Sequence, residues 1–312
     1  MCASVKCRDV DLVSLILETV RQVPAGRVTT YGDVARALGD VRAARAVADV
    51  LRQDDDAPDV PRHRVVNVDG AVEAPMARAL LDEGVAIKDG RVLDLERLRL
   101  HDLMAQPVLA ELRMEQEALR SRIIQTDDFP VSGDVTGLDV SYSKDMAFVA
   151  SVRMSIKDLE VLEAKYAVTK ARFPYIPGYL GYRELPLIAK VFEPTKDELL
   201  LIDGQGVLHP RGFGIACQIG VCLDVATIGA AKSLLVGTMD GGGPRSDVLI
   251  DGETRGRRLR PDHRRGIFVS VGHRVSLDTA CVICEGLMIN GVPEPLRLAH
   301  ILATRMRRGA SL

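Results

Sequence analysis

The sequence predicts an α/β protein: a mixed-sheet domain preceded by a small α-rich winged helix-turn-helix domain. Three observations carry this. The chain has 312 residues, room for about two domains at roughly 150 residues each. Its first hundred residues show helical spacing interrupted by turn signals. Beyond Asp127, three strand-like runs in succession give way to alternating helices and strands, the pattern of a mixed sheet.

The front elements follow in order. Leu12, Leu15, Leu17 and Val20 share a helical face that stops at Pro24-Ala25-Gly26. Thr30 stands three residues before Asp33, close to a capping box for a helix over Tyr31 to Leu38. Gly39 breaks that helix and Val41 to Leu51 forms the next, so two short helices flank a glycine turn. After the turn pair Asp69-Gly70 comes a last helix near Met76 to Asp82. Leu109, Leu112, Leu119 and Ile123 mark a long amphipathic helix over Leu103 to Ile124, and the boundary is placed near residue 100 (domains 1–100 and 101–312). In the second domain, strands are expected at Val135 to Tyr142, Ala147 to Met154, Val161 to Val168, Leu199 to Ile202, Leu234 to Val236 and Ile267 to Ser270. Ile188 to Val191 is assigned to a helix. Gly241-Gly242-Gly243 lacks the Lys-Ser/Thr ending of a phosphate loop and reads as a flexible tip.

Composition narrows the class. The 47% apolar share suits a globular protein with real cores. No apolar run reaches the ~20 residues of a membrane span, and the start has neither the basic segment nor the apolar stretch of an export signal. Six cysteines, at 2, 7, 217, 222, 281 and 284, form no disulfide framework, so a reducing cytoplasm is expected. Cys281 and Cys284 have redox spacing but sit in an apolar helical stretch, which favours buried structural thiols. With 41 basic against 43 acidic side chains the net charge is −2, so global charge does not announce nucleic acid. Locally, Arg255, Arg257, Arg258, Arg260, Arg264 and Arg265 read as a solvated hairpin or, beside a nuclease core, as phosphate contacts.

Two acids stand where buried strands run out, Asp139 and Asp203, and Glu184 is expected to open a helix after Pro174-Tyr175-Ile176-Pro177-Gly178. Strand ends at one edge of an α/β sheet line a crevice. Three carboxylates meeting there repel one another, and a hard divalent cation relieves that repulsion while stabilising phosphoryl charge.

The strings around these acids occur in one order: Gly137-Leu138-Asp139-Val140-Ser141-Tyr142, the 174–178 segment, Arg183-Glu184, Asp203-Gly204-Gln205-Gly206, His209-Pro210-Arg211, Thr227-Ile228-Gly229 with Ala231-Lys232-Ser233, and Val269-Ser270-Val271-Gly272-His273. Over about residues 106 to 300 the chain resembles endonuclease V, the deoxyinosine-specific nuclease with a ribonuclease-H-like fold. The resemblance implies Asp139, Asp203 and Glu184 as ligands of Mg²⁺, with Mn²⁺ as a substitute, around which water is activated. It implies His273 beside the metal and Lys232 on the phosphate. Tyr175 matches the aromatic wedge that fills the gap left by an extruded base. Gly204, Gly206 and Gly229, with Leu180 and Leu235, match the hypoxanthine pocket, where glycines admit close backbone approach. His209 and Arg211 match a DNA-contacting or supporting segment. Val271 departs from the family, which often has proline there.

Over about residues 10 to 97, Pro24-Ala25-Gly26-Arg27-Val28-Thr29-Thr30-Tyr31-Gly32-Asp33-Val34-Ala35, Arg42 to Val47 and Pro61-Arg62-His63-Arg64-Val65-Val66 resemble the DNA-binding half of O6-alkylguanine-DNA alkyltransferases. Those enzymes have the acceptor cysteine where this chain has Arg62. A guanidinium is no soft nucleophile, so the resemblance implies an alkyltransferase-like reader without methyl transfer. Arg45 would replace a flipped nucleotide, Tyr31 would press on the backbone, and His63, Arg64 and Glu83 would line the remnant pocket.

The expectation is therefore a DNA-repair endonuclease that cuts the second phosphodiester 3′ to deoxyinosine, with DNA, including O6-alkylguanine DNA, as partner. An inosine-specific ribonuclease and a non-cutting lesion sensor that recruits repair proteins are the rival expectations.

Overall fold

A computed structural model describes residues 8–53, 57–129, 133–193, 195, 198–260 and 266–309. The chain divides into two compact units. One comprises Val10–Glu115 with Arg172–Pro177; the other is chiefly Gln116–Ala171 and Gly178–Leu312.

In the first unit, α1 (Leu12–Arg21) is capped by Asp11, whose side chain accepts from Ser14 N. Strand β1 (Thr29–Thr30) leads into α2 (Tyr31–Ala37), α3 (Ala44–Gln53) follows, and β2 (Val65–Val66) pairs in parallel with β1. The capping box is formed: Thr30 Oγ1 accepts from Asp33 N at 3.1 Å, and Asp33 Oδ2 accepts from Thr30 N at 3.2 Å. Gly39, at φ +99°, makes the turn between α2 and α3. A Cβ there would meet Ala110 N at 2.7 Å, so the turn needs glycine for its conformation and its packing. Helix α4 (Ala74–Asp82), the hairpin β3 (Ile87–Lys88) and β4 (Arg91–Val92), and the one-turn α5 (Leu95–Leu98) complete a small core around Val28, Val66, Leu80, Val85 and Val92.

Helix α6 runs from Val108 to Arg120, shorter than the expected 103–124, because Pro107 cannot continue the backbone hydrogen bonding. The division between the units falls inside it.

The second unit is a nine-stranded mixed sheet. Its strands are β5 (Asp134–Ser143), β6 (Met146–Ser155), β7 (Val161–Lys170), β8 (Leu199–Ile202), β9 (Ala226–Ala231), β10 (Thr238–Asp240), β11 (Arg245–Ile250), β12 (Glu253–Leu259) and β13 (Ile267–His273), in the order β10-β11-β12-β13-β9-β8-β5-β6-β7. The central β5, β8 and β9 are parallel. All residues of β8 and β9 are buried, as expected of parallel strands covered on both faces. Helices α7 (Leu180–Ile188), α8 (Ile215–Leu223), α9 (Leu277–Gly286) and α10 (Glu294–Arg307) pack on this sheet, and β14 (Met288–Ile289) and β15 (Val292–Pro293) form a small hairpin before α10.

Several local expectations fail. Glu184 lies in the middle of α7, not at its start, and Lys190 and Val191 fall beyond it; Pro186 lies inside the helix and so mimics a helix start. Leu234 to Val236 form no strand: β9 has ended at Ala231, and the run crosses a loop with Leu235 exposed. Cys217, Cys281 and Cys284 are buried free thiols, whereas Cys222 is disulfide-bonded, which the scattered spacing did not foresee. Among the described residues no helix is long and apolar enough to cross a membrane.

Candidate metal centre

Strand register builds the centre. In the parallel pair β5–β8, Leu138 lies opposite Ile202. The parallel pairing ends there, so Asp203, just past the end of β8, lies beside Asp139, which stands in the middle of β5 and not at the expected strand end, at a strand spacing of about 4.8 Å. Gly137 brings α10 in close, for a Cβ on it would meet the Pro295 carbonyl carbon at 2.4 Å. From Pro295, His300 is about 7.5 Å along the helix; from Gly137, Asp139 is about 6.6 Å along the strand. The two advances match, and His300 Nδ1 stands 3.1 Å from Asp139 Oδ2.

Glu184, from the middle of α7, completes the acids. Tyr142 Oη donates to Glu184 Oε1 at 3.2 Å, and the Arg183 guanidinium lies 4.0 Å from the centroid of the Tyr142 ring. Burial, then the charge of Asp139, pushes the Glu184 carboxyl up to about 8. Asp139 is raised in turn by burial and by Asp203. Across the loop, Lys232 Nζ reaches Asp203 Oδ2 at 2.5 Å. The donors are hard carboxylate oxygens whose mutual repulsion is only partly offset, which fits a hard divalent cation. Among the described residues no three acidic, histidine or cysteine side chains are already drawn together as a ligand set. Asp139 is turned to His300, Glu184 to Tyr142 and Asp203 to Lys232.

His273 is elsewhere, contrary to expectation. Strand β13 runs antiparallel to β9, with Phe268 opposite Ala231 near the acids and His273 opposite Thr227 at the far end of the sheet. Its Nδ1 accepts from Ile124 N at 3.3 Å, and its Nε2 is 3.9 Å from Asp224. Burial, then the Arg274 charge, lowers it to about 4, so it is a neutral structural imidazole near neutral pH. The histidine at the acids is His300, which the motif strings, ending at His273, did not reach.

The other expected residues divide by role. Gly204, Gly206 and Gly229 pack against protein: a Cβ on Gly229 would meet Gly206 N at 2.5 Å, and one on Gly206 would meet Val271 O at 2.0 Å. Gly206 N donates to Ser270 Oγ. Leu180 is partly buried against the core and Leu235 is exposed. His209 accepts from Arg211 N at 3.2 Å, and burial followed by the Arg211 charge lowers it to about 4. Arg211 donates to the Gly178 carbonyl and lies over the Tyr179 ring, a supporting arrangement. Tyr175 is exposed and belongs to the unit containing Val10–Glu115. Of the basic run, Arg257 is paired with Asp247 and Asp278, and Arg255 with Glu253. Arg258 is directed toward Met239. Arg264 and Arg265 lie outside the described residues.

In the first unit, Glu83 gathers its neighbours: Arg64 Nη2 at 2.6 Å, His63 Nε2 at 2.8 Å and the Gly26 N–H at 3.1 Å. Arg64 also donates to Val23 O. Hydrogen bonding from Arg64, which outweighs the opposing effect of burial, holds Glu83 down at about 2. Arg62, on the single turn Arg62–Arg64, donates to Ala57 O. Tyr31, at the start of α2, is half-buried; burial raises its hydroxyl above the ordinary tyrosine value. The Arg45 side chain, 94% exposed and 4.0 Å from Asp49, projects from the first turn of α3.

The family model for endonuclease V matches residues 117–301. This chain belongs to the endonuclease V family. Ahead of that unit, residues 12–97 match the DNA-binding domain of 6-O-methylguanine DNA methyltransferase. The bifunctional methyltransferase/endonuclease of Picrophilus torridus is 34% identical over 307 residues, covering 96% of this chain and 98% of that protein. The endonuclease V of Thermofilum pendens is 38% identical over 221 residues, 68% of this chain and 94% of that one. Among solved structures, Streptomyces avermitilis endonuclease V aligns with a TM-score of 0.59 at 36% identity, over 64% of this chain and 92% of that one. A Ciona intestinalis endonuclease V, in complex with a 24mer DNA containing an inosine followed by a ribo-adenosine, aligns at 0.59 and 30% identity over 65% and 99%. The chain is thus a DNA-repair endonuclease of a metal-dependent family, fused to an alkyltransferase-like DNA-binding domain.

Proposed function

We propose that the endonuclease V unit hydrolyses the second phosphodiester 3′ to deoxyinosine in DNA, with Mg²⁺ as the natural cation and Mn²⁺ as a substitute, leaving 3′-hydroxyl and 5′-phosphate ends. The observation that carries this is the in-register placement of Asp139, within β5, beside Asp203, at the end of the adjacent parallel strand β8, close to Glu184, with their repulsion only partly offset. These three acids would hold the cation, which when bound supplies charge that makes water more acidic and neutralises the phosphate. His300 orients Asp139, and Tyr142 orients Glu184 through its hydroxyl. Lys232 presents an ammonium beside Asp203, where the phosphate's negative charge must be met. Tyr175 would fill the space left by an extruded base. Within the endonuclease V unit, Leu180, Leu235 and the backbone around Gly204, Gly206 and Gly229 would bound a pocket for a base. The setting proposed is cytoplasmic.

The alkyltransferase-like unit would read DNA, O6-alkylguanine included, through Arg45 and Tyr31. Arg62 at the acceptor position leaves no thiol there to take an alkyl group, whatever the relatives' names carry. Nicking of an inosine duplex with Mg²⁺, absent from a plain duplex, is the expected result. A duplex left intact would overturn the reading. The ribo-adenosine in the Ciona complex favours a second reading, inosine-specific cleavage of RNA. DNA and RNA oligonucleotides of one sequence, each with a single inosine, separate the two by rate.

A further inference from the structure

Beyond Ala231, the last residue of β9 paired with β13, the chain enters an exposed loop that begins with Lys232 and Ser233. The Lys232 ammonium nevertheless rests 2.5 Å from Asp203. A long, exposed lysine loses much rotamer freedom when held in one place, so something must fix its backbone. Gln205 Nε2 donates to the Ser233 carbonyl at 2.8 Å. The orientation of that amide is settled by chemistry, since a carbonyl can only accept. Gln205 is itself buried, at 7% exposure. Its Oε1 has no hydrogen-bond partner among the described residues, an arrangement that favours the Ser233 contact over full satisfaction of the amide.

The other end of Gln205 is equally fixed. Its backbone carbonyl accepts from Ala216 N at 3.1 Å at the start of α8, and a Cβ on Gly214 would strike that carbonyl at 2.2 Å. A closed ring results: Asp203, two residues along the chain to Gln205, across the hydrogen bond to Ser233, back one residue to Lys232, and across the ion pair to Asp203.

We propose that Gln205 is a positioning residue that sets Lys232 over the site by strapping the β9 exit loop to the Asp203 loop. The inference rests on the proposed role of Lys232 in meeting phosphate charge. It concerns placement of a charge rather than contact with substrate.

The test is a double-mutant cycle in the full-length chain with Mg²⁺ and an inosine duplex, read as single-turnover nicking rate and as KM. Gln205→Met keeps the volume and removes the donor. It should lower the rate about tenfold with KM changed by less than about twofold, and on a Lys232→Ala background it should change the rate by less than about twofold. An equal loss on both backgrounds, or none in the otherwise native chain, overturns the strap. A Lys232→Ala chain that nicks at the native rate overturns the reading of the lysine instead, so the two failures are distinguishable. If Gln205→Met lowers the melting temperature too far to assay, Gln205→Asn, which keeps the amide but shortens its reach, carries the same cycle.

Discussion

The acids of the two units keep different company. In the alkyltransferase-like unit, fully buried Asp33 takes hydrogen bonds from Arg99 at 2.7 and 2.9 Å, from Arg36 at 2.7 Å and from Thr30. Burial alone would raise its carboxyl, but these contacts bring it to about 2. Glu83, gripped by Arg64, is also at about 2. In the endonuclease V unit, burial first and then the charge of neighbouring acids raise Asp139 and Glu184, Glu184 to about 8. Arg183, the guanidinium next to Glu184 in sequence, stacks on Tyr142. A buried carboxylate answered by arginine holds a fold together. Carboxylates left facing one another hold a place for a cation, and such displaced acid strengths gather at functional sites.

The sharpest way to break this contrast is Asp203→Ala. It should cost at least about a thousandfold in nicking of an inosine duplex, the scale of losing charge stabilisation at a phosphoryl centre, while the melting temperature of the chain holds or rises. Asp33→Ala should do the opposite. Removing one partner of a buried pair costs about 3–5 kcal/mol, so thermal unfolding of the first unit should move sharply down while nicking per folded molecule stays within about twofold.

Acid should separate the units as well. Asp33 and Glu83 ionise more readily folded than unfolded, so their stabilisation is whole above the usual carboxylate range near pH 4 and drains away as pH falls toward 2. A melting series from pH 5 to 2 should show the loss, and Asp33→Asn should flatten it. Glu184 has the other sign. Folded, it keeps until about pH 8 a proton that the unfolded chain releases near pH 4.5, so stability falls as pH rises through that window. Mg²⁺, as the cation proposed for these acids, would take the place of that proton. Its gain in melting temperature should therefore be larger at pH 8 than at pH 5, and equal gains would count against the acid centre. The smallest expected effect is none at all: after incubation with O6-methylguanine DNA, mass spectrometry should find no methyl group added to the first unit, for want of a thiol at Arg62.

Much of this is legible in the sequence. The capping of α2, the glycine turn, the buried strands and Asp203 at a strand end follow from local pattern, because caps, turns and alternation are short-range properties of the chain. Asp139, by contrast, lies within β5, which continues to Ser143. Glu184 was found in the string Arg183-Glu184, although its place in the middle of α7 was not. His300 escaped because nothing around it marks a site; it is one polar residue on an amphipathic helix. His273 was misplaced because its neighbours in sequence say nothing about which end of an antiparallel strand faces the acids. Of the arginines of β12, Arg257 pairs with Asp247 and Asp278 and Arg255 with Glu253. The basic run does not itself disclose these partners, and so leaves open its two readings as a solvated hairpin or as phosphate contacts.

By itself, then, the sequence determined two units, a mixed sheet, an acidic centre and an acceptor position filled by arginine. Each is written in contiguous residues or in ordered strings of them. Tertiary structure alone decided which groups share that centre. Strand register set Asp139 beside Asp203, the close seat of α10 on Gly137 brought in His300, and the antiparallel course of β13 carried His273 away. Register and helix seating are long-range packing outcomes, fixed by how faces bury against one another and not by any local run of residues.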